Sequence, residues 1–208
     1  MSLKINSKCV KCRRAGEKLM LKGEKCIGPK CPFAKRNYPP GMHGPGKKHV
    51  KISGYGKQLK EKQKVKRIYG LVERQFANYV AEAARKVGDT SKYLIGVLEA
   101  RLANVVFRAA LAKSRLAARQ LVSHGLISVN DRKVDIPSYQ VKPGSVVAIK
   151  KEARNKKVFE NLEERLTKAE FPSWVIVDAK TASAKILNAP VLENPNYNAQ
   201  SIIEYYSR

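Results

Sequence analysis

The chain has 208 residues, 43% hydrophobic and 28% charged, which is enough apolar material for one large or two small packed domains and too much for a disordered tail. Lys and Arg number 42 against 17 Asp and Glu, and a net charge of +25 repels itself in a compact state unless a polyanion neutralises it. Nucleic acid is the polyanion this composition points to. A membrane role is not supported: MSLKINSKCV has no apolar signal core, and the runs Val146-Val147-Ala148-Ile149 and Trp174-Val175-Ile176-Val177 are too short to span a bilayer. With no lipidation motif either, a soluble cytoplasmic protein is expected.

The charge is uneven. Residues 1–70 carry 20 basic and 3 acidic residues, 71–150 carry 13 and 6, and 151–208 carry 9 and 8. The nucleic-acid surface is therefore expected mainly in the first third and partly in the middle, with an ordinary protein surface at the end.

In chain order, the cysteines come first. Cys9-x2-Cys12 is followed after thirteen residues by Cys26-x4-Cys31, the spacing of a tetrahedral four-cysteine zinc site. Each pair places two sulfurs on one side of an ion, and Gly23 and Gly28-Pro29 supply turns that bring the second pair back. Lys8, Lys11, Lys25 and Lys30 are expected to favour thiolates. Zinc is the expected ion, with an iron–sulfur cluster as the competing centre; four sulfurs close the shell, so the metal is structural, and His43 is only a substitute ligand. Disulfides do not suit a cytosolic chain.

Tyr38-Pro39-Pro40-Gly41-Met42-His43-Gly44-Pro45-Gly46 reads as turn and extended backbone. Gly41-x4-Gly46-Lys47-Lys48 imitates a phosphate-binding loop but has Lys48 in place of the Ser or Thr, Pro45 within the cradle and no preceding strand. Lys47 and Lys48 are instead taken as RNA contacts. A helix is expected over 57–69, with Lys57, Lys60, Lys64 and Arg67 forming a basic stripe that could track phosphates. A second follows over 71–87, burying Val72, Phe76, Val80, Ala83 and Val87 and ending at Gly88.

Asp89-Thr90-Ser91 caps a third helix over 92–112, with Tyr93, Leu94, Val97, Leu98, Leu102, Val105 and Val106 inward. Ser114 caps a short helix over 115–123, closed by His124-Gly125. Strands Leu126–Asn130 and Lys133–Ile136 flank a tight turn at Asp131-Arg132, and Tyr139–Lys142 and Ser145–Lys150 flank Pro143-Gly144. Residues 155–168 return to helix, and the tail has extended Pro- and Trp-containing pieces and a last element near Ile202–Tyr206. There is no nucleophile elbow, zinc-hydrolase His pair or paired acidic motif, so no enzyme is expected. A DNA-reading zinc finger with a helix-turn-helix over 92–124 would want a dimer seam, and none is visible.

The stretch LEARLANVV, then SRLAARQLVSHGLISVNDRKVDIPSYQVKPGSVVAI, resembles the RNA-binding domain named after small-subunit ribosomal protein S-four. The four-cysteine start, YPPGMHG, LKEKQKVKRIYGLVERQF and the final IIEYYSR extend the resemblance to that ribosomal family over essentially the whole chain. The resemblance implies an α+β protein with a zinc-binding segment at 1–45 and a helical domain at 46–91. An RNA-binding domain inserted at 92–150 follows, and a C-terminal segment, 151–208, packs on the helical domain.

It also implies a primary binder of small-subunit ribosomal RNA, attached at a multi-helix junction of the 5′ domain, that nucleates assembly of the subunit body and contributes to translational accuracy. Ribosomal protein S-five is the implied neighbour and S-twelve is linked to it in accuracy. The messenger channel lies nearby, and some members repress their own messenger; no small-molecule substrate is implied. Carried onto this chain, Ser114, Arg115, Arg119, His124, Asn130, Arg132 and Lys133 are the implied RNA contacts. Two departures stand out: Leu116 replaces a basic residue found in many members, and Asn130-Asp131 replaces a common Asn-Gly turn.

Overall fold

The computed structural model describes residues 8–46, 51–192 and 195–207. It divides the chain into two units, Met1–Ser91 with Asn194–Arg208, and Lys92–Glu193.

The first unit is helical. Helix α1 spans Lys8–Ala15 and α2 spans Pro32–Lys35, with a 3-10 turn at Gly23–Cys26 between them. Helix α3, Gly54–Ile68, starts three residues before the expected boundary because the Ser53 hydroxyl accepts from the Gly56 N–H at 3.2 Å. Helix α4, Glu73–Arg85, buries Phe76, Val80 and Ala83 as its period requires, whereas Val72 and Val87 lie beyond its ends and are exposed. The chain returns to this unit only at its end, with the helix Ala199–Tyr206, capped by the Asn198 side chain through the Ser201 N–H. This helix packs on α3 and α4: Tyr206 meets Phe76 edge-on, and the Tyr69 and Tyr197 hydroxyls lie 3.2 Å apart.

The second unit begins with α5, Thr90–Glu99, whose first turn lies at the unit boundary, and α6, Leu102–Arg108. The single helix expected over 92–112 is thus broken, and the cause is non-local. The backbone at Ala100–Leu102 pairs with the segment expected as the strand Tyr139–Lys142: Leu102 N–H donates to Tyr139 O and Val141 N–H to Ala100 O, around a bridge between Arg101 and Gln140. That segment is consequently no sheet strand.

Helix α7, Arg115–Ser123, follows a turn at Ala110, whose φ of +53° is held by Arg165 donating to the Ala110 and Leu111 carbonyls at 2.8 and 3.2 Å. Arg165 sits on α8, Leu162–Lys168, which is shorter than the helix expected over 155–168. A 3-10 turn, Lys157–Phe159, occupies part of the rest and buries Phe159, and another, Lys151–Ala153, precedes it and buries Ala153.

Five antiparallel strands form one sheet: β1 (Ile127–Val129), β2 (Arg132–Lys133), β3 (Val146–Ile149), β4 (Val175–Asp178) and β5 (Ser183–Ile186), in the order β2-β1-β3-β5-β4. The first turn is Asn130-Asp131, one residue earlier than Asp131-Arg132. Both residues have positive φ, 49° and 62°, as a two-residue hairpin of this hand demands.

The expectation that 151–208 as a whole packs on the helical part differs from the structure. Strand β3 has a second edge to satisfy, and β5 pairs with it, Val147 opposite Ala184. Trp174, Val175, Ala184 and Ile186 then join the core of Leu102, Val105, Leu121, Val122, Ile127 and Ile149. Only the stretch Asn194–Arg208, which carries α9 (Ala199–Tyr206), belongs with the first unit.

Candidate nucleic-acid interface

In the helical unit, cations crowd cations. Helix α1 places Lys8 and Lys11 three residues apart on one face, with Arg14 one turn on. Burial, and then the charges of Arg67, Lys8 and Lys66, hold the Lys11 ammonium below its usual pKa. Burial, and then Arg14, lower Arg67, with a smaller opposing effect from Cys12. Like charges gathered on partly buried side chains cost stability in the isolated protein, and a polyanion removes that cost.

The expected stripe on α3 is only partly realised. Lys57 and Lys60 are exposed and Arg67 is partly so, but Lys64 is buried and paired with Glu17 at 2.8 Å. The structure thus places Lys64 in an ion pair, on the face of α3 that packs with α1. Lys62 is likewise buried; it donates to Glu73 at 2.6 Å and lies 4.3 Å from the Tyr205 ring centroid. Lys66 also reaches Glu73, at 2.7 Å. Partial burial opposes ionisation of Glu73, but hydrogen bonds from Lys62, Lys66 and Tyr206 outweigh it and hold the carboxyl at about 2. Lys47 and Lys48 lie outside the described residues.

The four cysteines are free thiols. Cys9 and Cys12 sit on α1, Cys26 ends the 3-10 turn and Cys31 precedes α2, so the first pair occupies a helix face rather than a knuckle. All four line one pocket with Lys8, Leu21, Lys22 and Phe33, and the Lys22 N–H points at Cys26 Sγ at 3.3 Å. Burial raises the Cys12 thiol, as do Cys26, Cys9 and Cys31, against a hydrogen bond from the Leu19 backbone that lowers it. Among the described residues, no group of three or more His, Cys, Asp or Glu side chains is placed to hold a metal ion. The four sulfurs share one pocket. His43 is exposed on the Pro-Gly loop, which Arg13 fastens by donating to the Tyr38 carbonyl at 3.0 Å while lying over the Tyr38 ring.

In the sheet unit, the expected contacts divide between exposed and engaged side chains. Ser114 is buried, and its hydroxyl accepts from the Ala117 N–H at 3.2 Å, so it caps α7. Arg115 donates to Asn104 Oδ1 at 2.7 Å and stacks on Phe107 with its guanidinium carbon 4.6 Å from the ring centroid. Arg119, one turn on, is partly exposed. His124 is exposed at the end of α7. The stem of Lys133 crosses the adjacent Gly125, where an added Cβ would come within 2.5 Å of Lys133 Cε. Asn130 accepts from the Val146 N–H at 2.8 Å, which fixes the hairpin to β3, while Arg132 and Lys133 project from β2 into solvent. His124, Arg132 and Lys133 thus remain accessible beside the helix that carries Arg115 and Arg119.

Two family profiles match. "Ribosomal protein S4/S9 N-terminal domain" covers residues 4–99 and "S4 domain" covers 100–147. The small ribosomal subunit protein uS4 of Thermus thermophilus is 45% identical over 206 residues, 98% of each chain. That of a Thermoanaerobacter species is 46% identical over 202 residues, 96% of each, and that of Pelotomaculum thermopropionicum is 44% identical over 210 residues, covering all of both. The chain belongs to the uS4 family of small ribosomal subunit proteins. This is a family of ribosomal structural proteins and not of enzymes.

For this uS4 relative, sequence reasoning missed Lys11 and Arg14 as part of the basic face. Their signal is the spacing of Lys8, Lys11 and Arg14 along a helix, which the cysteine spacing overshadows. Glu99, Asn104 and Arg108 were missed because their roles depend on one another. Among the described residues, no helix is long and apolar enough to cross a membrane.

Proposed function

We propose that the chain is a structural constituent of the small ribosomal subunit that binds the 5′ domain of its RNA at a multi-helix junction and nucleates assembly of the body. The observation that carries this reading is the crowding of Arg67, Lys8 and Lys66 round Lys11 and of Arg14 round Arg67, in a chain related along its full length to uS4 proteins. Such a cluster needs a polyanion, and a junction supplies phosphates from several helices at once. Each unit clamps one part of the junction: the helical unit through its crowded cations, the sheet unit through Arg115, Arg119, His124, Arg132 and Lys133. On this reading ribosomal protein S-five is a neighbour, S-twelve is linked through accuracy, messenger RNA passes nearby, and the protein is cytoplasmic and ribosome-bound.

The reading includes a structural zinc ion held by Cys9, Cys12, Cys26 and Cys31, with an iron–sulfur centre as the alternative. The support is a set of four thiols lining one pocket; binding would draw the sulfurs together and release their protons. Elemental analysis of freshly purified protein is expected to give one zinc per chain, and metal-free protein would remove this part of the reading. Chemical footprinting of small-subunit RNA by the full chain is expected to give protections at one 5′-domain junction. Protections scattered over unrelated helices would contradict the assembly role.

A further inference from the structure

Glu99 is buried, with a side-chain exposure of 1%, at the C-terminal end of α5. A carboxylate in such a place is costly unless it is fully paired. Polar contacts surround it. Arg108 forks onto it, Nε to Oε2 at 2.8 Å and Nη2 to Oε1 at 3.1 Å. The Asn104 amide donates to Oε2 at 3.0 Å and to the Glu99 backbone carbonyl at 2.9 Å. The Asn104 carbonyl in turn accepts from Arg115 Nε, and Arg115 Nη2 lies 4.0 Å from Oε1. One carboxylate therefore orients two guanidiniums, one directly and one through an amide whose two ends are both committed. Phe107 supports the second guanidinium with its ring face.

A buried ion pair of this kind is a weak device for stability, since a well-packed apolar group often does as well. What this arrangement does supply is orientation. Arg108 and Arg115 keep 23% and 20% of their side-chain surface exposed, and Arg119 shares α7 with Arg115. We propose that Glu99 is a positioning residue for RNA recognition, holding Arg108 and Arg115 as a pre-set pair against the RNA backbone, with Arg108 a contact additional to those already assigned. The inference rests on the RNA-binding reading above. Arginine forks suit phosphate oxygens when their planes are fixed in advance, because less side-chain freedom is then lost on binding.

The sign of one substitution separates positioning from charge. Glu99→Gln makes the protein more positive, so charge alone predicts tighter RNA binding. Positioning predicts about tenfold weaker binding to a small-subunit 5′-domain junction RNA, with binding to a plain RNA duplex unchanged or tighter. The experiment measures both affinities for the full chain, for Glu99→Gln and for Arg108→Lys, which keeps the charge and removes the fork, with circular dichroism to confirm folding. Selective loss for the junction in the folded variants supports the proposal. Junction affinity equal to or above that of the parent overturns it, and if Glu99→Gln does not fold, Arg108→Lys decides alone by the same criterion. A parent protein that does not prefer the junction overturns the RNA-binding reading itself, and the positioning role with it.

Discussion

Apart from the ion pairs of Lys62, Lys64 and Lys66, the two units handle positive charge differently. In the helical unit, burial and neighbouring cations both act against the charges of Lys11 and Arg67: Arg67, Lys8 and Lys66 on the first, Arg14 on the second. In the sheet unit, Arg108 and Arg115 are tied to the buried Glu99 and supported by Asn104 and Phe107. The first arrangement is strained without a polyanion and should respond strongly to salt. The second is satisfied in the isolated protein and should contribute geometry more than long-range attraction. Basic residues alone therefore do not define an RNA surface; what each is bonded to before RNA arrives determines how it binds.

The largest expected effect breaks the comparison by removing one side of it. If a structural zinc holds the cysteine segment, chelation withdraws stabilisation on the order of 10 kcal/mol from that segment, by analogy with small metal-folded modules. Hydrogen exchange is expected to show lost protection over 8–46 with the sheet unit intact. Unchanged protection would mean that packing of Leu19, Leu21 and Ala15 suffices to fold it.

Next comes the salt response. Lys11→Met with Arg67→Met keeps the aliphatic stems, removes two crowded charges and is expected to lower the slope of log affinity against log salt by about 2. The thermal midpoint should hold or rise, because repulsion is relieved. Arg115→Ala with Arg119→Ala is expected to lower affinity and midpoint together, by about 1–3 kcal/mol of stability, since Asn104 loses its partner and Phe107 its cover. If both doubles move stability in the same direction, the contrast between the units is wrong. If the second double leaves affinity and salt slope unchanged, the sheet unit is not a clamp.

The smallest effect lies at Glu73, which joins α3, α4 and α9 through Lys62, Lys66 and Tyr206. Its folded value of about 2 lies below the ordinary 4.5, so its contribution is complete above that ordinary value and disappears as pH falls towards 2. The carboxylate is half-exposed and screened, so Glu73→Gln is expected to cost only about 1 kcal/mol at neutral pH. Acid unfolding should be less steep in this variant between pH 4.5 and 2.

Local signals read well from the sequence. The Ser114 cap, the apolar face of α4 and the hairpin near Asn130 each depend on a few adjacent residues, and all are present, whereas the Ser53 cap that starts α3 early went unread. The four cysteines do gather at one pocket, as their spacing suggested, though the spacing could not tell a knuckle from a helix face. What was illegible depends on distant partners. Nothing around Lys64 announces Glu17, and nothing around Ala100–Arg101 announces the Tyr139–Val141 backbone that breaks the helix there. The recruitment of β4 and β5 followed from an unsatisfied edge of β3, which exists only once the sheet is assembled. Nothing adjacent to Glu99 announces its burial, which depends on Asn104 and Arg108 closing over it.

The most direct test is binding of the full chain to a small-subunit 5′-domain RNA, to unrelated RNA and to duplex DNA across a salt series. The account predicts that all three weaken as salt rises but that the 5′-domain RNA alone retains tight binding, because oriented contacts add to charge. Parallel weakening of all three, with no preference at any salt concentration, would contradict it and leave the +25 charge acting without recognition.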